Sequence, residues 1–189
     1  MQDLGREGGR TRAPLSRRAV ALAILAMAAP PSVLAVPPTP PDFGPNVIIF
    51  SPNMPQSQIQ ATVDTIALQQ VSNQFGSQRY ALLFQPGTYG SSPAPLNFQV
   101  GYYTAVAGLG RSPTDVSISG SINVYNQCDS SGCVALNNFW RSLSNLAINV
   151  SNPTFGCHSG EFWAVSQAAP MRRVLVNGLT TLMDYCTGR

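Results

Sequence analysis

Outside the first 35 residues of this 189-residue chain there are six carboxylic acids: Asp42, Asp64, Asp115, Asp129, Glu161 and Asp184. Carboxyl chemistry on a neutral substrate needs them in pairs, one to donate a proton and one to accept a proton or attack. Four of the six read as turn or solvent residues. Asp42 lies in a proline-rich stretch, Asp64 in a helical pattern, Asp115 just ahead of an alternating run, and Asp129 in a small loop bounded by cysteines. Glu161 and Asp184 are left as the candidate catalytic acids. Each follows a loop, and Glu161 stands beside Phe162-Trp163; a carboxyl against an aromatic can form part of a sugar site. The plainer reading is an exposed loop Glu161 with a half-buried Trp163. Trp163 and Trp140, with Tyr102 and Tyr103, could stack on sugar rings, and could equally pack in a core. Arg172, with Arg173, could meet an acidic sugar or pair with Glu161, or simply start a strand in solvent.

The four cysteines, Cys128, Cys133, Cys157 and Cys186, permit three disulfide pairings. Cys128–Cys133 would close a tight DSSG loop and Cys157–Cys186 would pin two distant turns, and this pairing is favoured. Zinc is the rival reading, with the single histidine, His158, as a further ligand. The spacing C-x4-C and the adjacency of Cys157 and His158 fit it poorly, so no metal and no cofactor is expected. His158 reads as a loop residue rather than a catalyst. There is no Asp-x-Asp or Asp-Asp pair for calcium. Gly108-Leu-Gly110 lacks the third glycine and opens no helix, so it is not a dinucleotide loop. Neither Gly-x-Ser-x-Gly nor a P-loop is present. Asn149-Val-Ser151 is a glycosylation sequon, relevant only in a eukaryotic secretory route.

The net charge of +3 belongs to the N-terminal arm. Residues 1–35 hold five arginines against Asp3 and Glu7, whereas the remainder balances six arginines with six acids and no lysine. A surface without a cationic stripe is not suited to nucleic acid. Ser16-Arg17-Arg18 precedes an apolar run, Ala19 to Ala29, and then PPSVLA. That is a charged region, a short apolar core and a small residue at the cut, hence a secretory signal over 1–35. The run is too short to span a bilayer as a helix, so no membrane contact is expected after cleavage. The arginine pair suggests twin-arginine export, although Ala19-Val20-Ala21 replaces the usual bulky residues. Residues 36–45, VPPTPPDFGP, form a stiff linker, and 46–189 form the domain.

These side chains must be positioned by elements of two kinds. NVIIF (46–50) reads as a strand. Ile59, Val63, Ile66, Ala67, Val71 and Phe75 then recur at helical spacing, which predicts an amphipathic helix over about 57–75, with Ser57 as N-cap and Gly76 as stop. From residue 79 the period becomes two. RYALLFQPGTYG (79–90) is a short apolar strand ending in a tight turn. DVSISGSINVY (115–125), SNLAINVS (144–151) and RRVLVNG (172–178) alternate apolar and polar. Val116, Leu146 and Val174 recur at steps of 30 and 28 residues. Strand-only units at that period predict a parallel β-solenoid rather than a sandwich, which would show strands every ~8–12 residues joined by hairpins.

Strand, amphipathic helix, then LLFQPGTY, then TAVAGLGRSPTDVSISG (104–120) resembles the entry to the pectate-lyase-like right-handed parallel β-helices. More narrowly, the order resembles secreted actinobacterial β-helix proteins of the β-1,3-glucanase type. Such proteins often carry the labels adenylyl cyclase or coagulation factor 5/8 domain; nothing in these residues supports a cyclase. The resemblance covers residues 44–186. It implies a mainly β fold, with the first coils of a right-handed solenoid closed by the helix as a cap. Gly87 and Gly110 would serve as corners. A polysaccharide or cell-surface glycan is the implied partner, and a monomer is expected at full length. Members run for many coils, so the resemblance also implies a chain truncated at its C-terminus, with the catalytic acids beyond Arg189. The expected parent activity is a secreted glycoside hydrolase of β-glucanase type, with a polysaccharide lyase second. The alternative is a non-catalytic glycan-binding module, or an inactive truncated product.

Overall fold

The computed structural model describes residues 41–150 and 156–187. The expected signal peptide over 1–35 lies outside the described residues, as does the linker apart from its last five positions. Chain order is β1 (Val47–Phe50), α1 (Gln56–Gln70), β2 (Tyr80–Phe84), β3 (Gly87–Tyr89), β4 (Leu96–Gln99), β5 (Thr104–Gly108) and β6 (Val116–Asn123). There follow β7 (Gln127–Asp129), β8 (Gly132–Val134), β9 (Ser142–Asn149), β10 (Glu161–Phe162), β11 (Met171–Asn177) and β12 (Thr180–Thr181). The pairings are parallel, except for the β7–β8 hairpin that Cys128–Cys133 staples. The architecture is a right-handed parallel β-solenoid with one helix near its start.

Three faces wind around the core. The first stacks β1, β2, β5 and the start of β9; the second stacks β3, β6 and the end of β9. The third holds β4 against the end of β6, with β10 and β12 paired beyond it. Strand β9 therefore covers two faces in one run, bending at Asn145, whose φ is +54°. β11 follows it with the same bend at Arg173, φ +55°. Asn145 tolerates that left-handed turn because its amide donates to the carbonyls of Gly108 and Gly110, at 2.8 and 2.7 Å.

Alternation explains the core. Leu82 stacks on Val106 and Val106 on Leu143; Tyr89 stacks on Ile118 and Ile118 on Ile148; Phe98 stacks on Ile122. All are buried, and each aliphatic one contributes about 1.5–3 kcal/mol relative to exposure. Ile118 opposes Ile148 and Val174 opposes Leu146, the steps of 30 and 28 residues read from the sequence.

The helix differs from its expected bounds. Pro55, not Ser57, is the N-cap, and the last helical residue is Gln70. The helix stops there because the coil takes over its end. The Gln70 carbonyl accepts the Tyr102 N–H at 2.8 Å, and the Gln70 amide donates to the Tyr102 carbonyl at 2.8 Å. Phe75, expected on the apolar stripe, is 90% exposed, whereas Ile59, Val63 and Ile66 are buried against the coil. The two corner glycines also differ. Gly87 adopts φ +147°, and a Cβ there would stand 2.6 Å from the Pro52 Cβ. Gly110 has no positive φ; it is needed for room, since a Cβ would meet the Asp115 Cβ at 2.3 Å. No helix among the described residues is long and apolar enough to cross a membrane.

Candidate functional site

The third face carries a groove. Its floor is the outward side of β4 and β6: Asn97, Ser121 and Asn123, with Tyr125 just beyond. One wall is α1, through Asp64 and Leu68, with Ser72 just past its end; the other is the loop from Gly156 to Gly160. Two adjoining hollows of about 600 and 550 Å3 share Asn97, Asn123 and Tyr125, so the depression runs on from one to the other. The floor is prearranged. Ser121 Oγ donates to Asn97 Oδ1 at 3.0 Å, and Asn123 Nδ2 donates to Ser121 Oγ at 2.7 Å. Asn123 Oδ1 accepts the Phe162 N–H at 2.8 Å. Gln60 links the helix to the floor, donating to the Asn97 carbonyl and to Asp64 Oδ1. Amides, hydroxyls and one aromatic suit a neutral polyhydroxylated ligand, which offers donors and acceptors but no charge.

The two candidate acids lie beneath and beside this floor, not open to it. Glu161 is fully buried in β10, which corrects the exposed-loop reading. Its Oε2 accepts the Ile122 N–H at 2.8 Å, where a neighbouring strand would ordinarily supply a carbonyl. Burial raises its pKa to about 8, against the lowering by that hydrogen bond. Its Oε1 has no partner among the described residues. Asp184 is also buried. Its carboxylate accepts from the Asn126 and Cys186 N–H groups, the Thr187 hydroxyl and His158 Nε2. Burial pushes its carboxyl up, but the bonds from Thr187, His158, Asn126 and Cys186 outweigh this and leave it below the ordinary carboxylate range. Both acids hold the third face together, and neither presents an oxygen to the groove.

His158, read as a plain loop residue, stacks on Tyr125 with ring centroids 3.9 Å apart and ties the loop to Asp184 at 3.0 Å. Burial, then the nearby Glu161 and Asp184, raise the Tyr125 hydroxyl to about 12. His158, Asp184 and Cys186 could together face a metal ion. However, Cys186 is bonded to Cys157, 5.4 Å away between Cα atoms, so its sulfur is no longer a free thiolate donor.

The remaining candidates scatter. Trp163 is 2% exposed and donates its indole N–H to the Ala169 carbonyl, so it is a core residue rather than a half-buried contact. Trp140 is 44% exposed and lies outside the groove, at the corner leading into β9. Arg172 borders a shallow hollow of about 240 Å3 with Arg111 and Arg173. Arg173 donates to the Arg111 carbonyl, and neither Arg172 nor Arg173 pairs with Glu161. The floor residues Asn97, Ser121 and Asn123 went unread in the sequence. Their signal was there: in DVSISGSINVY the polar side of the alternation ends in Ser121 and Asn123, which the third face turns outward.

No family model matches the chain. Over 137 residues, 72% of its length, the chain is 47% identical to an exo-β-1,3-glucanase of Streptomyces sp. (strain SirexAA-E / ActE). The solved structure of sacteLam55A from Streptomyces sp. SirexAA-E superposes on 78% of the chain with a TM-score of 0.67 and 44% identity. The chain is homologous to a stretch of that β-solenoid. A variant of sacteLam55A in complex with glucose superposes with a TM-score of 0.64 over 77% of the chain. The resemblance to β-1,3-glucanase-type parallel β-helices therefore holds. The chain spans 20% of the glucanase's length and 24% of the solved chain's.

Proposed function

We propose that this chain is part of a secreted, carbohydrate-active β-helix protein whose whole form hydrolyses β-1,3-glucan, and that its own contribution is to bind glucan. The observation that carries the reading is the 47% identity to an exo-β-1,3-glucanase. The groove is where the glucan lies. Asn97, Ser121 and Asn123 offer hydroxyl-matching hydrogen bonds, and Tyr125 offers a ring edge to the sugar. Residues 1–35 direct export, 36–45 space the domain from them, and the working environment is extracellular. The balanced charge of residues 36–189 suits a neutral glucan better than a uronate, which favours hydrolase over lyase chemistry for the whole protein.

Binding without cleavage by this stretch alone is favoured by one observation: both candidate acids are buried, Glu161 bonded through Oε2 to the Ile122 N–H of β6 and Asp184 tied to Asn126, His158 and the Cys186 turn. Cleavage then belongs to carboxyls elsewhere in the whole protein. Electrophoresis of the 189-residue chain through gels containing soluble β-1,3-glucan tests the proposal, with release of reducing sugar measured in parallel. Retardation without sugar release is expected. Asn123→Ala should weaken retardation about threefold to tenfold, since it removes about one hydrogen bond to sugar together with the bonds that Asn123 makes to Ser121 and Phe162. Unretarded migration in β-1,3-glucan overturns the substrate assignment; sugar release by the chain alone overturns the division of labour.

A further inference from the structure

A different corner of the solenoid carries a stack of side chains that ends in an open ring. Tyr80 pairs with Thr104, Ala105 with Ser142, and Leu143 with Met171. Counting back along each strand makes Arg79, Tyr103, Trp140 and Ala168 successive occupants of one corner position. The Tyr103 N–H donates to the Trp140 carbonyl, joining the two corners directly at 2.6 Å. Tyr103, Trp140 and Ala168 share φ values of +55°, +56° and +55°. Large aromatic residues rarely adopt this left-handed backbone, and where they do the surrounding fold imposes it.

The side chains pile up accordingly. The Arg79 guanidinium sits 3.4 Å above the Tyr103 ring. Tyr103 and Trp140 are within 14° of parallel, with centroids 5.3 Å apart. Phe139 meets Trp140 edge-on at 4.5 Å and fixes the indole. At the next position the pile stops, because Ala168 has only a methyl group. Trp140 remains 44% exposed as a result. Beside it lies a hollow of about 250 Å3, bordered by Trp140, Ala168, Pro170, Thr104 and Ser142.

We propose that Trp140 is the platform of a second carbohydrate site, separate from the groove, which takes one pyranose ring of a β-glucan chain into the gap above Ala168. The gap is one ring deep, because the ladder places a ring at the two preceding positions and none at this one. A β-glucose unit carries its hydroxyls around its rim and C–H bonds on its faces. Those weakly positive C–H groups match the negative face of an indole, while the Ser142 hydroxyl lies at the margin. The indole is preorganised by Tyr103 and Phe139, so little freedom is lost on binding. The sugar's identity rests on the glucan reading above; the stacking does not.

Tryptophan emission of the full chain reads the site directly, because Trp163 is buried and Trp140 is not. Hexasaccharides of β-1,3-glucan, β-1,4-glucan and α-mannan are titrated separately, and retention in β-1,3-glucan gels is measured alongside. The expected result is a saturable blue shift with the β-1,3-glucan. It should persist in Asn123→Ala and disappear in Trp140→Ala. Ala168→Tyr should also weaken it at least tenfold, by extending the pile one ring and filling the gap; this variant covers the case in which Trp140→Ala fails to fold. Gel retention with unmoved emission, unchanged in both Trp140→Ala and Ala168→Tyr, overturns the platform and leaves the glucan reading intact. A shift with β-1,4-glucan or mannan but not β-1,3-glucan keeps the platform and overturns the choice of sugar. Silence with all three overturns the platform and leaves an aromatic side chain of a partner protein as the occupant to seek.

Discussion

At Glu161 a carboxyl side chain does the work of a backbone carbonyl. The Ile122 N–H is buried, and without the Glu161 Oε2 it would lose the acceptor it has. An unmade bond of that kind costs about 1–3 kcal/mol. The remedy has its own cost, because burial holds the Glu161 pKa near 8, against an ordinary value of 4.5. Between these values the folded protein holds a proton that the unfolded chain releases. Stability from this residue is therefore full below about pH 4.5 and falls as pH rises towards 8. Glu161→Gln copies the neutral acid at every pH. It should match the parent protein in thermal unfolding at pH 4 and exceed it at pH 9, by on the order of 3–5 kcal/mol. Parallel pH profiles for the two proteins would rule out a buried neutral Glu161.

The elements depend on corners more than on strands. Gly120 splits β6 between the second and third faces with φ +154°, and a Cβ there would lie 2.0 Å from the Leu96 backbone oxygen. At Gly87 the obstacle is the Pro52 ring, 2.6 Å away. A ring at a loop edge can shift, whereas a carbonyl inside a ladder cannot. Gly120→Ala should therefore cost more than Gly87→Ala, roughly 3 kcal/mol or more against 1–2 kcal/mol, as read from urea midpoints. Equal losses would mean that the Leu96 ladder is pliable. The same contrast explains what was legible beforehand. Val116, Ile118, Leu146 and Val174 announced their faces by alternation, and stacking followed from their spacing. The helix end at Gln70 was not legible, because its stop signal is the Tyr102 N–H from a later coil. The buried placing of Glu161 and Asp184 escaped for a related reason. A polar residue after a loop looks solvated unless the partner that needs its oxygen, Ile122 or Asn126, is known to face it.

For the whole molecule, the two disulfides have unequal weight. Cys128–Cys133 joins residues 5 apart within a hairpin, and Cys157–Cys186 joins residues 29 apart across the groove-side loops. The loop-closure model gives about 2 kcal/mol for the first and about 3.5 kcal/mol for the second. Thermal melts of Cys128→Ser/Cys133→Ser and Cys157→Ser/Cys186→Ser should preserve that order. The second pair should also release the loop that holds His158 on Tyr125, so glucan retention should fall for that variant alone. The parallel pairing has a consequence for how the chain reaches this state. The solenoid's ladders join strands separated by a whole turn of the coil, and among the described residues only the β7–β8 hairpin closes locally. Ladders of that kind assemble slowly, because the chain must close a long loop before the first pair forms. Helix α1 is local and precedes β2, so it can order before any turn is complete and give β2 an apolar surface to settle on. Winding then advances towards the C-terminus, each finished turn serving as the template for the next. A lesion in Val63 or Ile66 should therefore slow refolding more than an equally costly lesion in β11, whose neighbours are already in place when it docks.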